Sequence, residues 1–260
     1  MKQSRPFAMQ TSICYLRAMP KIAASTAAIL LASGTAMAAQ FRAEDFALPW
    51  MSADGTRALV AANAATNGWT NPALAGGGVS FAATTNGVPT PLWFGELATG
   101  SVAYAALVVD CTNTPAAWST LLDAPSPLRA KPTAYAWQSP DFSTNGVAIA
   151  VDTAAGEAMP LDGERHLVEV AFSESAAESE LFLGGHPATP AWNRPWPGRV
   201  YEAVFLESEP QGCSRDALRA YLSLKWDLAL DVTTPQNARE ALRQLGVRSD
   251  PMFSSILIMR

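Results

Sequence analysis

The sequence predicts an all-β sandwich of two antiparallel sheets that carries short helices only near its C-terminus. Three observations predict it. Gly, Pro, Ser, Thr and Asn interrupt the chain roughly every ten residues, so the segments between them have strand length rather than helix length. Several of those segments alternate in polarity or run apolar throughout, as strands buried on one or both faces of stacked sheets do. Capped segments with helical spacing occur only after residue 212.

Taken in order, the chain opens on a leader. Lys21 precedes the apolar run "IAASTAAILLASGTAMA", Ile22 to Ala38, which closes on Ala36-Met37-Ala38. A basic flank, a short apolar segment and a small-x-small end make a secretory signal peptide, with the cut before Ala39. The run is too short and too rich in Ser and Thr for a membrane span. Met19 is an alternative start. The predicted organisation is a signal peptide over 1–38, an N-terminal segment of the sandwich over 39–74, the main β domain over 75–230, and a helix-and-strand tail over 231–260. Export implies a periplasmic, cell-surface or extracellular location.

The predicted strands are Val79–Thr84, Ser101–Asp110, Thr133–Ser139, Gly146–Asp152, Arg165–Ser173, Ser179–Gly185 and Arg199–Glu207. In "RHLVEVAFS", His166, Val168, Val170 and Phe172 share one face, and Leu167, Glu169 and Ala171 the other. In "RVYEAVFLE", Val200, Glu202, Val204 and Leu206 share a face opposite Tyr201, Ala203 and Phe205. Thr-Asn-Gly recurs at 66–68, 85–87 and 144–146, and Asn-Gly favours tight hairpin turns. "CSRDALRAYLSLKWDL" predicts a helix with Ser214 as N-cap, Asp216 in its first turn and a Leu218/Tyr221/Leu222 stripe that must meet a sheet edge or sandwich end. "TPQNAREALRQLG" predicts a second, capped by Thr234, opened by Pro235 and stopped by Gly246. "SSILIM", Ser254 to Met259, reads as a terminal strand.

Removing 1–38 takes away four of the 18 basic residues and none of the 23 acidic ones, which leaves a formal charge of −9. That balance argues against nucleic acid and anionic membrane as partners, and is indifferent to neutral glycans. Oligomeric state stays open. Cys14 leaves with the leader; Cys111 and Cys213 remain either as a disulfide, which export permits, or as two separate buried thiols.

The ordered set "GERHLVEVAF…SELFLGG…WPGRVYEAVFLESEPQGCSRDALRAYLSLKWDL" resembles the LamG-like, concanavalin A-like lectin/glucanase jelly rolls of bacterial exported proteins. The likeness lies in Asp162-Gly163-Glu164-Arg165-His166 before a hydrophobic strand, and in Gly184-Gly185. It continues in the strand Gly198-Arg199-Val200-Tyr201-Glu202-Ala203-Val204-Phe205 and the helix end Tyr221-Leu222-Ser223-Leu224-Lys225-Trp226-Asp227-Leu228. It covers residues 162–228 and extends by strand pattern from 75. The resemblance implies a concanavalin A-like jelly roll of two antiparallel sheets with short C-terminal helices. It also implies a lectin-like, carbohydrate-binding or surface-adhesion module that takes a glycan or cell-surface polysaccharide.

Chemistry is harder to find. Glucanases of this type carry an E-x-D-x-(x)-E strand, and no Glu here is followed by Asp two residues later. Glu178 and Glu180 sit in "SESAAESE", which reads as a solvated hairpin tip. Asp54, Asp110, Asp123, Asp141 and Asp152 are scattered. The sequence therefore favours a non-catalytic module, with no catalytic residues assigned and an atypical glycoside hydrolase as the remoter alternative. His166 and His186 make no ligand cluster, so no metal site is assigned. No cofactor is required; calcium, which lectin-like sandwiches use, stays open although no D-x-D-x-D loop is present. The candidate binding residues are Trp192, Asn193, Arg194, Trp196 and Arg199 in "WNRPWPGR": two rings for stacking on a sugar, polar groups for its hydroxyls, and two prolines to hold them rigid. The competing reading turns the tryptophans inward onto the core. It makes the chain a structural or protein-interaction domain of the cell envelope.

Overall fold

The computed structural model describes residues 38–62, 69–84, 87–111, 119–123, 133–136, 142–145, 147–155, 159–160, 162–185 and 195–250. Among these, the first strands are β1 (Ala38–Arg42), β2 (Trp50–Met51), β3 (Ala58–Ala61), β4 (Trp69–Thr70), β5 (Ala73–Ala75), β6 (Gly78–Ser80), β7 (Val88–Pro89) and β8 (Leu92–Trp93). There follow β9 (Ser101–Val109), β10 (Ser119–Asp123), β11 (Thr133–Ala136), β12 (Phe142–Asn145), β13 (Val147–Val151), β14 (Ala154–Ala155), β15 (His166–Ala177), β16 (Phe182–Leu183) and β17 (Arg199–Leu206). Two helices close the described chain, α1 (Cys213–Trp226) and α2 (Ala238–Gln244).

The fold is mostly β. One sheet runs β14-β13-β15-β9-β17-β6-β5, with β1 also paired to β17; a second runs β12-β11-β10-β16-β8-β3-β2. Pairing within both is antiparallel. The small β4–β7 pair is parallel. Period-2 alternation gives the first sheet two apolar faces. Val168, Val170, Leu107, Val109 and Phe205 point between the sheets and meet Trp50, Leu92 and Leu121 there. Leu167, Ala106, Val108, Val204 and Leu206 point the other way, onto α1 and α2. The molecule is a sandwich with a third, helical layer.

The helices therefore cover a sheet face, not an edge or an end. A sheet apolar on both faces must bury both, and the Leu218/Tyr221/Leu222 stripe, fully buried, supplies the second cover. Helix α1 begins at Cys213, with Gly212 and not the expected Ser214 at its N-cap, and ends where Asp227 adopts a left-handed conformation. Helix α2 begins at Ala238, later than the Thr234–Pro235 signal predicts, because a turn from Pro235 to Ala238 precedes it; Gly246, at φ +75°, ends it as expected.

A β-bulge corrects the reading of β17. Val200 pairs with Val109 and Glu202 with the adjacent Val108, so one residue is inserted opposite β9. Val200 consequently faces the inter-sheet core with Ala203 and Phe205, while Tyr201 joins Val204 and Leu206 on the helical side. The predicted alternation holds only beyond the bulge.

Two other elements depart from expectation. Strand β15 continues through Ala177, and Glu178, predicted as a solvated tip, is 3% exposed in a one-turn 3-10 helix. Its carboxylate pairs with Arg57 at 2.8 Å, and its N–H donates to the Gly100 carbonyl. Cys111 packs in the inter-sheet core while Cys213 opens α1 on the far side of that sheet, so these two do not bridge. The expected strand over Ser254–Met259 lies outside the described residues, as does His186.

Candidate functional site

The loop singled out in the sequence divides into two parts. Trp192, Asn193 and Arg194 lie outside the described residues. Trp196 is fully buried in the inter-sheet core, and its indole N–H donates to the Asp110 carbonyl at 2.8 Å. It is a core residue and no sugar platform. Arg199 is tied to the same aspartate: its backbone N–H donates to Oδ1 at 2.7 Å, its Nε to Oδ2 at 2.7 Å, and its guanidinium also pairs through Nη2. The Tyr201 hydroxyl adds a fourth bond to Asp110, at 2.8 Å. Asp110, with no exposed surface, is thus the anchor of the loop. The pairing raises the Arg199 guanidinium further, and burial together with Asp110 raises the Tyr201 phenol, so both stay protonated donors. Gly198 is required between them, since any Cβ there would collide with the Asp110 carbonyl.

The strand and helix motifs quoted above also converge, on Glu202. This buried carboxylate accepts from Gln40 Nε2 at 2.6 Å, Tyr221 Oη at 3.2 Å, Trp226 Nε1 at 2.7 Å and Lys225 Nζ at 2.9 Å. Burial works to lower the Lys225 ammonium, but Glu202 and Glu44 outweigh it and hold it charged. Across the same face Glu169 accepts from Arg219 Nε and Nη2, at 2.9 and 2.6 Å, and from the Tyr104 hydroxyl. These motif residues fasten α1 to the sheet. Their spacing records a structural need.

What remains open is a cleft of about 600 Å³, lined by residues that include Asp152, Asp162, Glu164, Arg165, His166, Arg199, Tyr201, Trp226 and Asp227. Its floor is the start of β15. His166 donates from Nδ1 to Asp152 at 2.5 Å and from Nε2 to Asp162 at 3.0 Å, which locks the Asp162–His166 turn onto the β13–β14 turn. The Asp152 bond, helped by Asp162 against the opposing effect of burial, pushes His166 up to about 9. The bond to His166 in turn holds Asp162 below the usual carboxylate range. Arg165 lies over Tyr201 at 4.6 Å and Trp226 at 5.4 Å from the ring centres. Backbone strain gathers here too. Asp152 (φ +48°), Thr153 (φ +74°) and Asp227 (φ +53°) are the positive-φ non-glycine positions among the described residues, and the first and last line the cleft.

The arrangement is poor for acid-base work. The imidazolium holds Asp162 below the usual carboxylate range, so that carboxyl does not serve as a general acid, and His166 is charged at neutral pH. Glu178, which burial raises, sits apart with Arg57 and Gly100 and lines no part of the cleft. Both imidazole nitrogens are engaged, and no group of three or more His, Cys, Asp or Glu among the described residues is arranged to hold a metal. Among the same residues no helix is long and apolar enough to cross a membrane. The chain matches no protein-family model, no curated protein and no solved structure.

Sequence reasoning named Arg199 but missed the rest of the cleft. Asp152, Asp162 and His166 lie on two separate turns, and spacing carries no sign that the sheet brings them together. The Asp162-Gly163-Glu164-Arg165-His166 block was the available signal.

His166 sets a pH dependence. A group whose folded pKa is raised from 6.5 to about 9 contributes fully below pH 6.5 and loses that contribution as pH climbs to 9. At about 1.4 kcal/mol per pH unit, the loss is at most about 3 kcal/mol. The urea midpoint of the wild type minus that of His166→Gln is expected to shrink steadily between pH 6.5 and 9. A flat difference would contradict the clamp.

Proposed function

We propose that the chain is an exported, non-catalytic saccharide-binding module of concanavalin A-like jelly-roll type, with its ligand in the His166–Trp226 cleft. One observation carries the reading. The cleft has the volume of a small-ligand site, and it gathers the exposed Arg165, Glu164 and Asp227, none of them in an ion pair among the described residues, beside the half-buried Trp226. A guanidinium and carboxylates beside an indole match the hydroxyls and apolar faces of a sugar. The strained Asp227 supports it, because a residue kept at an unfavourable φ is a candidate for function. The leader pattern supports export. The resemblance, with the non-sequential β15-β9-β17 and β10-β16-β8 neighbours, supports the jelly-roll assignment.

A glycan array tests the proposal, probed with the wild type, Arg165→Ala, Asp227→Gly and Trp192→Ala. Arg165 and Asp227 are exposed, so both variants are expected to keep the wild-type melting temperature or, for Asp227→Gly, to raise it slightly by relieving strain. Both are expected to lose glycan binding. Binding that survives both and vanishes in Trp192→Ala would move the ligand to the loop and overturn the cleft.

A second reading has its own observation. Full burial of Trp196 removes one of the two rings on which the loop site depends, and this favours a structural or protein-interaction domain of the cell envelope. Absence of glycan binding by a folded wild type would decide for it.

A further inference from the structure

The charge inventory of the cleft carries one step further, resting on the saccharide reading above. We infer that the cleft selects saccharides without acidic groups, neutral or amine-bearing, and rejects uronic and sulfated ones.

The argument follows which charges are already spent. His166 is consumed by Asp152 and Asp162. Arg199 is consumed by the fully buried Asp110 behind it, through Nε, Nη2 and its own backbone N–H. His166 has no ring N–H left over, and the charge of Arg199 is already matched by Asp110. Of the three cations lining the cleft, Arg165 alone lacks a carboxylate partner among the described residues, and its Cζ lies over Tyr201 and Trp226, 4.6 and 5.4 Å from the ring centres. Its Nη1 already reaches the Trp226 carbonyl at 3.5 Å. On the acidic side the side chains of Glu164 and Asp227 are exposed and make no hydrogen bond or ion pair. Two unspent carboxylates thus face one cation that is already placed.

The full count agrees. Among the lining residues Asp152, Asp162, Glu164 and Asp227 set four negative charges against the three positive ones of Arg165, His166 and Arg199, the last already matched by Asp110 behind it, and the chain beyond residue 38 is itself strongly acidic. Low-dielectric walls focus such a field into the cleft. A ligand carboxylate or sulfate enters against it, whereas hydroxyls and ammonium groups find acceptors waiting. Trp226 already tolerates cations nearby, with Lys225 at 5.1 Å and Arg165 at 5.4 Å from its ring centre.

The test is isothermal titration of the full chain, at pH 6 and low salt, with three oligosaccharide probes of matched length: one neutral, one of glucosamine units with free amines, and one of uronic acid units. The neutral and amine-bearing probes are expected to bind, and the uronic probe at least about tenfold more weakly. Asp227→Asn and Glu164→Gln are expected to weaken the amine-bearing probe several-fold more than the neutral one, with far-UV circular dichroism unchanged. Uronic acid binding as tightly as the neutral probe would overturn the selectivity and leave the saccharide reading standing. Failure of all three probes, together with a blank glycan array, would remove both.

Discussion

Replacing Glu202 by alanine is expected to destabilise the chain by about 3–5 kcal/mol, a large part of the 5–15 kcal/mol that holds a typical domain together. The size follows from what the carboxylate leaves behind. Glu202 has no exposed surface and accepts four hydrogen bonds, from β1 through Gln40 and from α1 through Tyr221, Lys225 and Trp226. Without it the Lys225 ammonium, 11% exposed, keeps Glu44 at 2.7 Å and Asp250 at 3.6 Å among the described residues, and the Trp226 indole and Tyr221 phenol each lose a bond to a buried carboxylate. Removing one partner of a buried pair costs more than the pair contributes, because the survivor stays desolvated. Glu202→Gln keeps the shape and one acceptor oxygen, and is expected to cost clearly less. Urea denaturation followed by tryptophan fluorescence checks both. A change below about 1 kcal/mol in Glu202→Ala would mean that α1 is held by its apolar stripe alone.

Trp196→Ala is the second large effect, expected at about 3–5 kcal/mol for loss of a fully buried indole. The ring fills the inter-sheet core, and its N–H closes on the Asp110 carbonyl. Its backbone N–H donates to the Gly184 carbonyl at 3.1 Å, which ties Trp196 to the residue just after β16. Trp196→Phe retains most of the packing and forfeits the N–H bond, for a cost of about 1 kcal/mol beyond the volume lost. The alternative role makes the opposite forecast. A ring serving as a sugar platform would leave the urea midpoint unchanged when removed and show itself only in ligand affinity.

The two residues illustrate how far one-dimensional reasoning reaches. Tyr221, Lys225 and Trp226 were recognised as a helix-end pattern and Glu202 as part of a strand pattern, yet their meeting was not legible. They lie about twenty residues apart in sequence, on elements whose relative placement is set by which sheet face remains uncovered. The β17 bulge was equally hidden, because a bulge changes pairing with a partner strand and leaves composition untouched. It carries a consequence for the site. By putting Tyr201 and Glu202 on the helical side together, it brings the Tyr201 ring beside Trp226, 5.5 Å between centres, where Arg165 covers both.

Sequence alone determined the sandwich class, the near-complete extents of β9, β13 and β17, and the presence of the two helices, because those depend on local periodicity and turn chemistry; the expected N-caps Ser214 and Thr234 were not the ones used. It also determined which residues near 162 and 199 deserved notice. Only the tertiary structure decided that the helices cover a sheet face, that Trp196 turns inward, that Glu178 is buried with Arg57, and that Asp152, Asp162 and His166 form one clamp. The physical reason is common to all four. A side chain's polarity states what it needs, burial or a partner of opposite charge, whereas which distant strand or helix supplies that need is settled only when the apolar faces have packed.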